Sequence, residues 1–210
     1  MSGNPWEGIY HRDGHVFTDI PPVIPEFASL LAGNRIHSIL DVGCGNGRLL
    51  NYFAGLGYQV TGMDSAPTAL RLSREWLQRS GLGGNLFLSD MRFPFPLADA
   101  CCDALVSTQV IHHAVLETVL FTVSEITRVV RPGGLVLVTV PVYRPREPGS
   151  EFHESDEIEY HTFVPLSGTE KGLPHHLFTL EEFAACFPAF DILSVEERGD
   201  VVIILIARKH

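Results

Sequence analysis

Short apolar runs alternate with amphipathic stretches through the middle of the chain, and this alternation constrains the fold more than any other feature. Amphipathic helix candidates follow the first, second and fourth apolar runs. Hydrophobic residues make up 45% of the chain, which is enough to cover both faces of a sheet. The pattern predicts a parallel, doubly wound α/β sheet with right-handed crossovers. Its buried strand candidates lie at 38–43, 59–64, 85–90, 103–109 and 134–141.

The end of the chain departs from this alternation. A helix candidate at 178–188 precedes two apolar stretches, FDILSVEERG and DVVIILIARK, with only a turn around Gly199 between them. Two strands connected so tightly must be antiparallel. The sequence therefore predicts a mostly parallel sheet with a C-terminal antiparallel hairpin.

A glycine-rich loop, with glycines at 43, 45 and 47, joins the first strand to the first helix. Glycines let a ligand approach the backbone, and a helix N-terminus presents free N–H groups. A dinucleotide loop would have GxGxxG spacing, whereas this loop reads GxGxG. Asp41 also places negative charge where a pyrophosphate would lie. The loop therefore favours a ligand with a cationic ammonium group over a nicotinamide dinucleotide.

Two more carboxylates end the second and third strands, Asp64 and Asp90. Strand ends of this kind line one crevice at the carboxyl edge of a parallel sheet. Asp64 can accept hydrogen bonds from a ribose diol. Asp90 can accept from an adenine amino group with Met91 beside the ring, although Asp90 could also be a helix cap and Met91 plain packing. An ammonium, a ribose diol and an adenine occur together in S-adenosylmethionine.

These motifs resemble those of the class I S-adenosylmethionine-dependent methyltransferases. The resemblance is carried by ILDVGCGNG, VTGMD, LSDM, DALVSTQVIHH and RVVRPGGLVLVTV, and it covers roughly residues 36–140. It implies a Rossmann-like α/β fold with seven strands in the order 3-2-1-4-5-7-6. It also implies S-adenosylmethionine as cofactor and S-adenosylhomocysteine as product. The cofactor-binding positions it implies are Asp41, Gly43, Cys44, Gly45, Asn46, Gly47, Asp64, Ser65, Asp90, Met91, Gln109 and Val110.

The resemblance also suggests how one domain fills residues 1–210. The N-terminal stretch of the chain, WEGIYHRDGHVF, is aromatic. Its residues Trp6, Tyr10 and His15 could cover the cofactor, as similar segments do in the family. Tyr10 is also a candidate to contact the substrate. The alternative is a strap that only packs on the domain. The expected parts are a cover segment at 1–35, a cofactor-binding core at 36–140, a substrate-facing insertion at 141–178, and a closing helix and hairpin at 179–210.

Two pairs of histidines are candidates to act on the methyl acceptor. His112 and His113 follow the fourth strand and could exchange a proton, because imidazole titrates near neutral pH. Either could instead cap or pack under the next helix. His175 and His176 end the long insertion and would bind the substrate if it folds over the crevice. No histidine or cysteine spacing matches a metal-binding pattern, so no metal is expected.

The overall charge favours a small-molecule acceptor. The net charge is −10, and lysine occurs at only two positions, which makes a nucleic-acid partner unlikely. An RNA methyltransferase stays open, because some relatives with the VIHH motif methylate tRNA wobble uridine. A non-catalytic S-adenosylmethionine-binding module is a further alternative.

Localisation and assembly are predicted only broadly. The N-terminus lacks an apolar signal region, the chain has no long apolar run, and its four cysteines form no evident pairs. These features predict a cytoplasmic protein with reduced thiols and no membrane partner. A monomer or a homodimer is expected.

Overall fold

The computed structural model describes residues 4–144, 154–199 and 201–210, which form six helices and ten strands. Residues 1–3 of the expected cover segment and 145–153 of the expected insertion lie outside the described residues. The helices are α1 (Pro5–Asp13), α2 (Val23–Ala32), α3 (Arg48–Gly55), α4 (Pro67–Arg79), α5 (Leu116–Val129) and α6 (Leu180–Ala185). The strands are β1 (Ser38–Val42), β2 (Gln59–Asp64), β3 (Asn85–Leu88), β4 (Cys102–Thr108), β5 (Val130–Pro141), β6 (Ser155–Glu159), β7 (Thr162–Pro165), β8 (His175–His176), β9 (Phe190–Arg198) and β10 (Val202–Lys209).

Seven of these strands form the main sheet, in the order β3-β2-β1-β4-β5-β10-β9. The pairs among β1 to β5 are parallel, and β10 is antiparallel to both β5 and β9. Without the small sheet described below, this order is 3-2-1-4-5-7-6. The predicted fold class and strand order are therefore confirmed.

Both faces of the central strands of the main sheet are buried, as a doubly wound fold requires. Along β5, Leu135 and Leu137 pack into one cluster with α2, α3 and α4, whereas Val136 and Val138 pack into a second with α5 and α6. Alternate residues of a strand point to opposite faces, so each face receives its own apolar set. This packing fixes the carboxyl ends of β1, β2, β4 and β5, from which the site is built.

The structure departs from the sequence-based expectation in several places. Strand β3 ends at Leu88, so Asp90 lies two residues beyond the strand rather than at its end. Helix α5 ends at Val129, and β5 begins at Val130, four residues earlier than predicted, at an irregularity in its pairing with β4. The N-terminal segment forms α1 and α2. The insertion contains a separate antiparallel sheet in the order β6-β7-β8. Among the described helices, none has the length and apolar character needed to cross a membrane.

Candidate functional site

A cleft of about 1370 Å³ lies at the carboxyl ends of the parallel strands, with α1 on one side and the segment 170–175 on another. Cys44, Gly45 and Gly47 do not line it, although the resemblance implied cofactor contact for them. The predicted cofactor positions that do line it are Asp41, Gly43, Asn46, Asp64, Ser65, Asp90, Met91, Gln109 and Val110.

The glycines of the loop are required by the chain's own packing. Gly43, Gly45 and Gly47 all have positive φ, at 72°, 54° and 86°. A Cβ atom would lie 2.4 Å from a Val110 methyl at Gly43, 2.3 Å from the Tyr10 hydroxyl at Gly45, and 2.3 Å from Ser73 Oγ at Gly47. Protein side chains therefore lie close beside each of these glycines.

Asp41 lies in β1, between Gly62 of β2 and Val106 of β4, and only 2% of its surface is exposed. Its Oδ2 atom has no hydrogen-bond partner among the described residues. Burial raises the pKa of Asp41 to about 7, although the nearby charge of Arg48 opposes this shift. Such a buried, unpartnered acceptor is suited to a cationic ligand.

Arg48 lines the same cleft and was not singled out from the sequence. Its guanidinium donates to the Asp19 carbonyl at 3.0 Å and to Thr108 Oγ1 at 3.5 Å. Burial lowers its pKa, and the charge of Asp41 partly opposes that effect. A cation at the first position of a helix is disfavoured by the helix dipole. This unusual placement of Arg48 was the signal in the sequence that could have marked it as a site residue.

Asp64 connects the end of β2 to the glycine loop. Its Oδ2 accepts from the Gly45 N–H at 2.8 Å and its Oδ1 from the Ala66 N–H at 2.9 Å. Burial raises its pKa despite these bonds. Cys44, in contrast, turns its thiol into the core beside Gly62, so its side chain does not face the cleft.

Asp90 is held in a turn by Arg92. The Arg92 side chain donates from Nε at 3.0 Å and from Nη2 at 2.5 Å, and its backbone N–H donates at 3.0 Å. Burial opposes these bonds, but they outweigh it and lower the pKa of Asp90. Asp90 therefore caps a local turn and lines the cleft at once. Met91 lies next to it, partly buried against the core.

Helix α1 is fixed across the cofactor end of the cleft by side-chain hydrogen bonds. The Asn4 amide donates to the Ser65 carbonyl at 2.7 Å and to Ser65 Oγ at 3.1 Å. Glu7 accepts from the backbone N–H of Thr68 at 2.9 Å and from its hydroxyl at 2.6 Å. These bonds tie α1 to the start of α4.

The aromatic residues of the N-terminal segment have different placements. Tyr10 lies over Gly45 on the cofactor side, not beside the second histidine pair. Trp6 contacts the ring edge of His113, with ring centroids 4.9 Å apart. His15 packs instead on Trp76, outside the cleft.

Three of the four candidate histidines meet at the other end of the cleft. The ring centroids of His112 and His113 are 3.8 Å apart, and those of His113 and His175 are 4.8 Å apart. Burial lowers the pKa of His112, and it lowers that of His113 to about 4, so both are neutral near pH 7. A base with so low a pKa is a weak proton acceptor.

His176 does not join this cluster. It follows His175 in β8, so its side chain points to the opposite face of the strand. Its Nδ1 lies 2.7 Å from Thr162 Oγ1 within the small sheet, and it does not line the cleft. His176 therefore contacts the small sheet rather than an acceptor in the cleft.

Comparisons with known proteins agree on the type of domain. A family model described as a methyltransferase domain matches residues 40–138. The chain is 35% identical over 120 residues to a tRNA (carboxymethyluridine(34)-5-O)-methyltransferase of Macaca fascicularis, covering 57% of this chain and 16% of that protein. It is 37% identical over 98 residues to a ubiquinone biosynthesis O-methyltransferase of Methylocella silvestris, covering 47% and 37%.

A solved structure extends the similarity to the whole fold. The 1,6-didemethyltoxoflavin-N1-methyltransferase of Burkholderia thailandensis, determined with S-adenosylhomocysteine bound, superposes with a TM-score of 0.71 at 21% identity. The match covers 96% of this chain and 84% of that one. The curated relatives are longer: the chain spans well under two thirds of either one's length.

Proposed function

Because the chain belongs to the class I S-adenosylmethionine-dependent methyltransferases, we propose that it transfers a methyl group from S-adenosylmethionine to a small-molecule acceptor. The observation that carries this proposal is the buried carboxylate of Asp41, whose Oδ2 has no partner within the described part of the chain and which shares its cleft with the Arg48 guanidinium. An anion and a cation side by side complement the zwitterionic methionine end of the cofactor.

The other strand ends complement the nucleoside. A carboxylate has about four acceptor sites, so Asp64 retains capacity for a ribose hydroxyl beyond its bonds to backbone N–H groups. Met91 and Asp90 line the same wall and would flank the adenine. The bound sulfonium supplies an electrophilic methyl group. The chain's own residues then have to align the acceptor and exclude water, a role that suits Trp6 and α1.

The acceptor would lie where His112, His113 and His175 line the cleft. The net charge of −10 favours a small acceptor over a polyanion. An RNA acceptor is the second candidate, because the matched segment of the macaque relative comes from a tRNA methyltransferase. A module that binds the cofactor without catalysis is the third.

One assay separates these three functions. The protein is incubated with methyl-labelled S-adenosylmethionine and a cell extract fractionated into small metabolites, RNA and protein. We expect label in the metabolite fraction. Label confined to RNA would replace the proposal by its second candidate, and saturable cofactor binding without any transfer would favour the non-catalytic module.

Cofactor binding should depend on pH through Asp41. The pKa of Asp41 is about 7 in the free protein, with Arg48 and Asp64 as the neighbouring charges. A bound ammonium favours the ionised carboxylate, so the affinity should fall as the pH drops below about 7, by up to about tenfold per pH unit. Calorimetric titration with S-adenosylhomocysteine from pH 5.5 upward, at roughly half-unit steps, measures this.

The matched variant is Asp41→Asn, which has no proton to exchange. It should bind more weakly at neutral pH and show a flatter profile across the same range. Identical profiles for the two proteins would mean that another group, such as Asp64, controls the pH dependence.

A further inference from the structure

Three histidines, His112, His113 and His175, converge at the histidine end of the cleft, and the Glu170 carboxylate lies beside two of them. His175 Nε2 lies 2.9 Å from Oε2 of Glu170, and His113 Nε2 lies 3.9 Å from Oε1 of the same carboxylate. One ring nitrogen from each of His112, His113 and His175 lies within 4.8 Å of the others. Ligand atoms on a tetrahedral ion with bonds of about 2.1 Å are roughly 3.4 Å apart. The three histidines would therefore close on an ion by movements on the order of 1 Å.

The hydrogen bonds of two of these rings determine which nitrogen faces the carboxylate lone pairs. Nδ1 of His113 lies 3.1 Å from the Val110 carbonyl, and Nδ1 of His175 lies 2.9 Å from the Leu173 carbonyl. A carbonyl only accepts, so each Nδ1 carries a proton. Where a ring carries no second proton, its Nε2 presents a lone pair toward Glu170, which is also an acceptor. A backbone carbonyl on the distal nitrogen is the usual outer-shell partner of a metal-bound histidine.

A cation would resolve this conflict between acceptors. A second proton on His175 could satisfy its contact with Glu170 at 2.9 Å, but it would not reach His113. An ion between the two rings and the carboxylate would satisfy all three ligands at once. Both His113 and His175 are largely buried, so an ion bound between them would be shielded from bulk water.

His112 supplies an independent observation. It is 4% exposed, and its Nδ1 has no hydrogen-bond partner among the described residues. A buried polar atom without a partner is destabilising, so such an atom usually has a ligand or another function. His112 lies against His113, within the same group of ligand atoms.

The segments that bear these side chains are already fixed to one another. The His176 N–H donates to the His112 carbonyl at 2.8 Å, which ties β8 to the segment after β4. The Leu173 N–H donates to the Glu170 carbonyl at 3.0 Å and closes the turn between Glu170 and His175. The ligand positions are thus held by backbone bonds before any ion binds.

We propose that His112, His113, His175 and Glu170 form a binding site for a divalent transition-metal ion, with Zn²⁺ the best fit. Three imidazoles and one carboxylate suit a borderline ion in tetrahedral coordination. An ion there would stand at the acceptor end of the cleft, and expansion to five-coordination would let it bind an oxygen or thiol acceptor and favour its deprotonated form. The inference concerns metal binding itself and does not depend on the proposed methyl transfer.

The test is a titration of the chelator-treated protein with Co²⁺, followed through the visible d–d absorption of the ion, and then with Zn²⁺ as competitor. We expect saturation at one equivalent and displacement by Zn²⁺. His175→Gln and Glu170→Gln should each weaken binding on the order of 100-fold or more, because loss of an outer-shell partner alone costs 10–100-fold. The control is His37→Gln, because His37 is exposed and distant from the cleft. The affinity of this variant for Co²⁺ should equal that of the wild type.

Binding of S-adenosylhomocysteine by each variant reports whether it is folded and whether the cofactor end works. A variant that binds S-adenosylhomocysteine normally and has lost Co²⁺ supports the site. Unsaturable Co²⁺ binding by the wild type, or equal affinities for wild type, His175→Gln and Glu170→Gln, would overturn it. Failure of S-adenosylhomocysteine binding together with intact metal binding would instead count against the proposed function.

Discussion

Replacing Asp64 by alanine is expected to weaken binding of S-adenosylhomocysteine by on the order of 100-fold, which corresponds to about 3 kcal/mol. Two effects combine in this loss. The variant lacks the carboxylate proposed to accept from the ribose diol. It also leaves the N–H groups of Gly45 and Ala66 without their acceptor, so the glycine loop that follows Asp41 is held less firmly. Isothermal titration calorimetry measures the affinity directly.

The two effects can be separated by a second variant and a control. Asp64→Asn keeps one acceptor oxygen for the backbone but removes the charge, so it should retain more stability than Asp64→Ala and still bind weakly. Asp191→Ala removes an exposed carboxylate in β9, and this variant should match the wild type in stability and in affinity for S-adenosylhomocysteine. Full affinity in Asp64→Ala would remove Asp64 from the cofactor site.

The positions of the carboxylates could be predicted from the sequence because they depend on sheet topology alone. Asp41, Asp64 and Asp90 each follow or end an apolar run, and parallel strands bring such ends to one edge. The antiparallel β9–β10 hairpin could be predicted for a similar reason, since a tight turn leaves no other pairing. These inferences need only the period of the hydrophobic pattern and the lengths of the segments that connect the strands.

The acceptor end could not be predicted in this way. His113 and His175 are some sixty residues apart, and Glu170 lies in a turn whose path is set by the small sheet of β6, β7 and β8. Nothing in the local spacing indicates that this sheet exists or which face of β8 is turned inward. The same limit explains why His176 was paired with His175, although adjacent strand residues point in opposite directions.

The reason for the glycines also changed between sequence and structure. The sequence argument required them for access of a ligand to the backbone. In the structure, Gly47 is needed because its φ is +86° and because Ser73 of α4 fills the space beside it. The loop therefore depends on helix packing as well as on the ligand, and this dependence can be measured as stability.

Gly47→Ala is expected to destabilise the protein by about 3–5 kcal/mol, a large part of the total for a domain of this size. About 1–2 kcal/mol would come from the left-handed backbone and the rest from overpacking. The added Cβ would lie 2.3 Å from Ser73 Oγ and 2.9 Å from its Cα, which belongs to a helix and cannot rotate away. Urea unfolding of the wild type and the variant gives the difference.

Gly57→Ala is a matched control for this prediction, because Gly57 has a φ of +91° and no atom of the described residues lies within 4 Å of its added Cβ. This variant should lose only the stability that the left-handed backbone conformation costs, about 1–2 kcal/mol. Ser73→Ala removes a buried hydroxyl that has no partner among the described residues, so alone it should cost little. Combined with Gly47→Ala it should recover part of the overpacking, on the order of 1 kcal/mol. Equal losses for Gly47→Ala and Gly57→Ala would show that contact with α4 does not require the glycine.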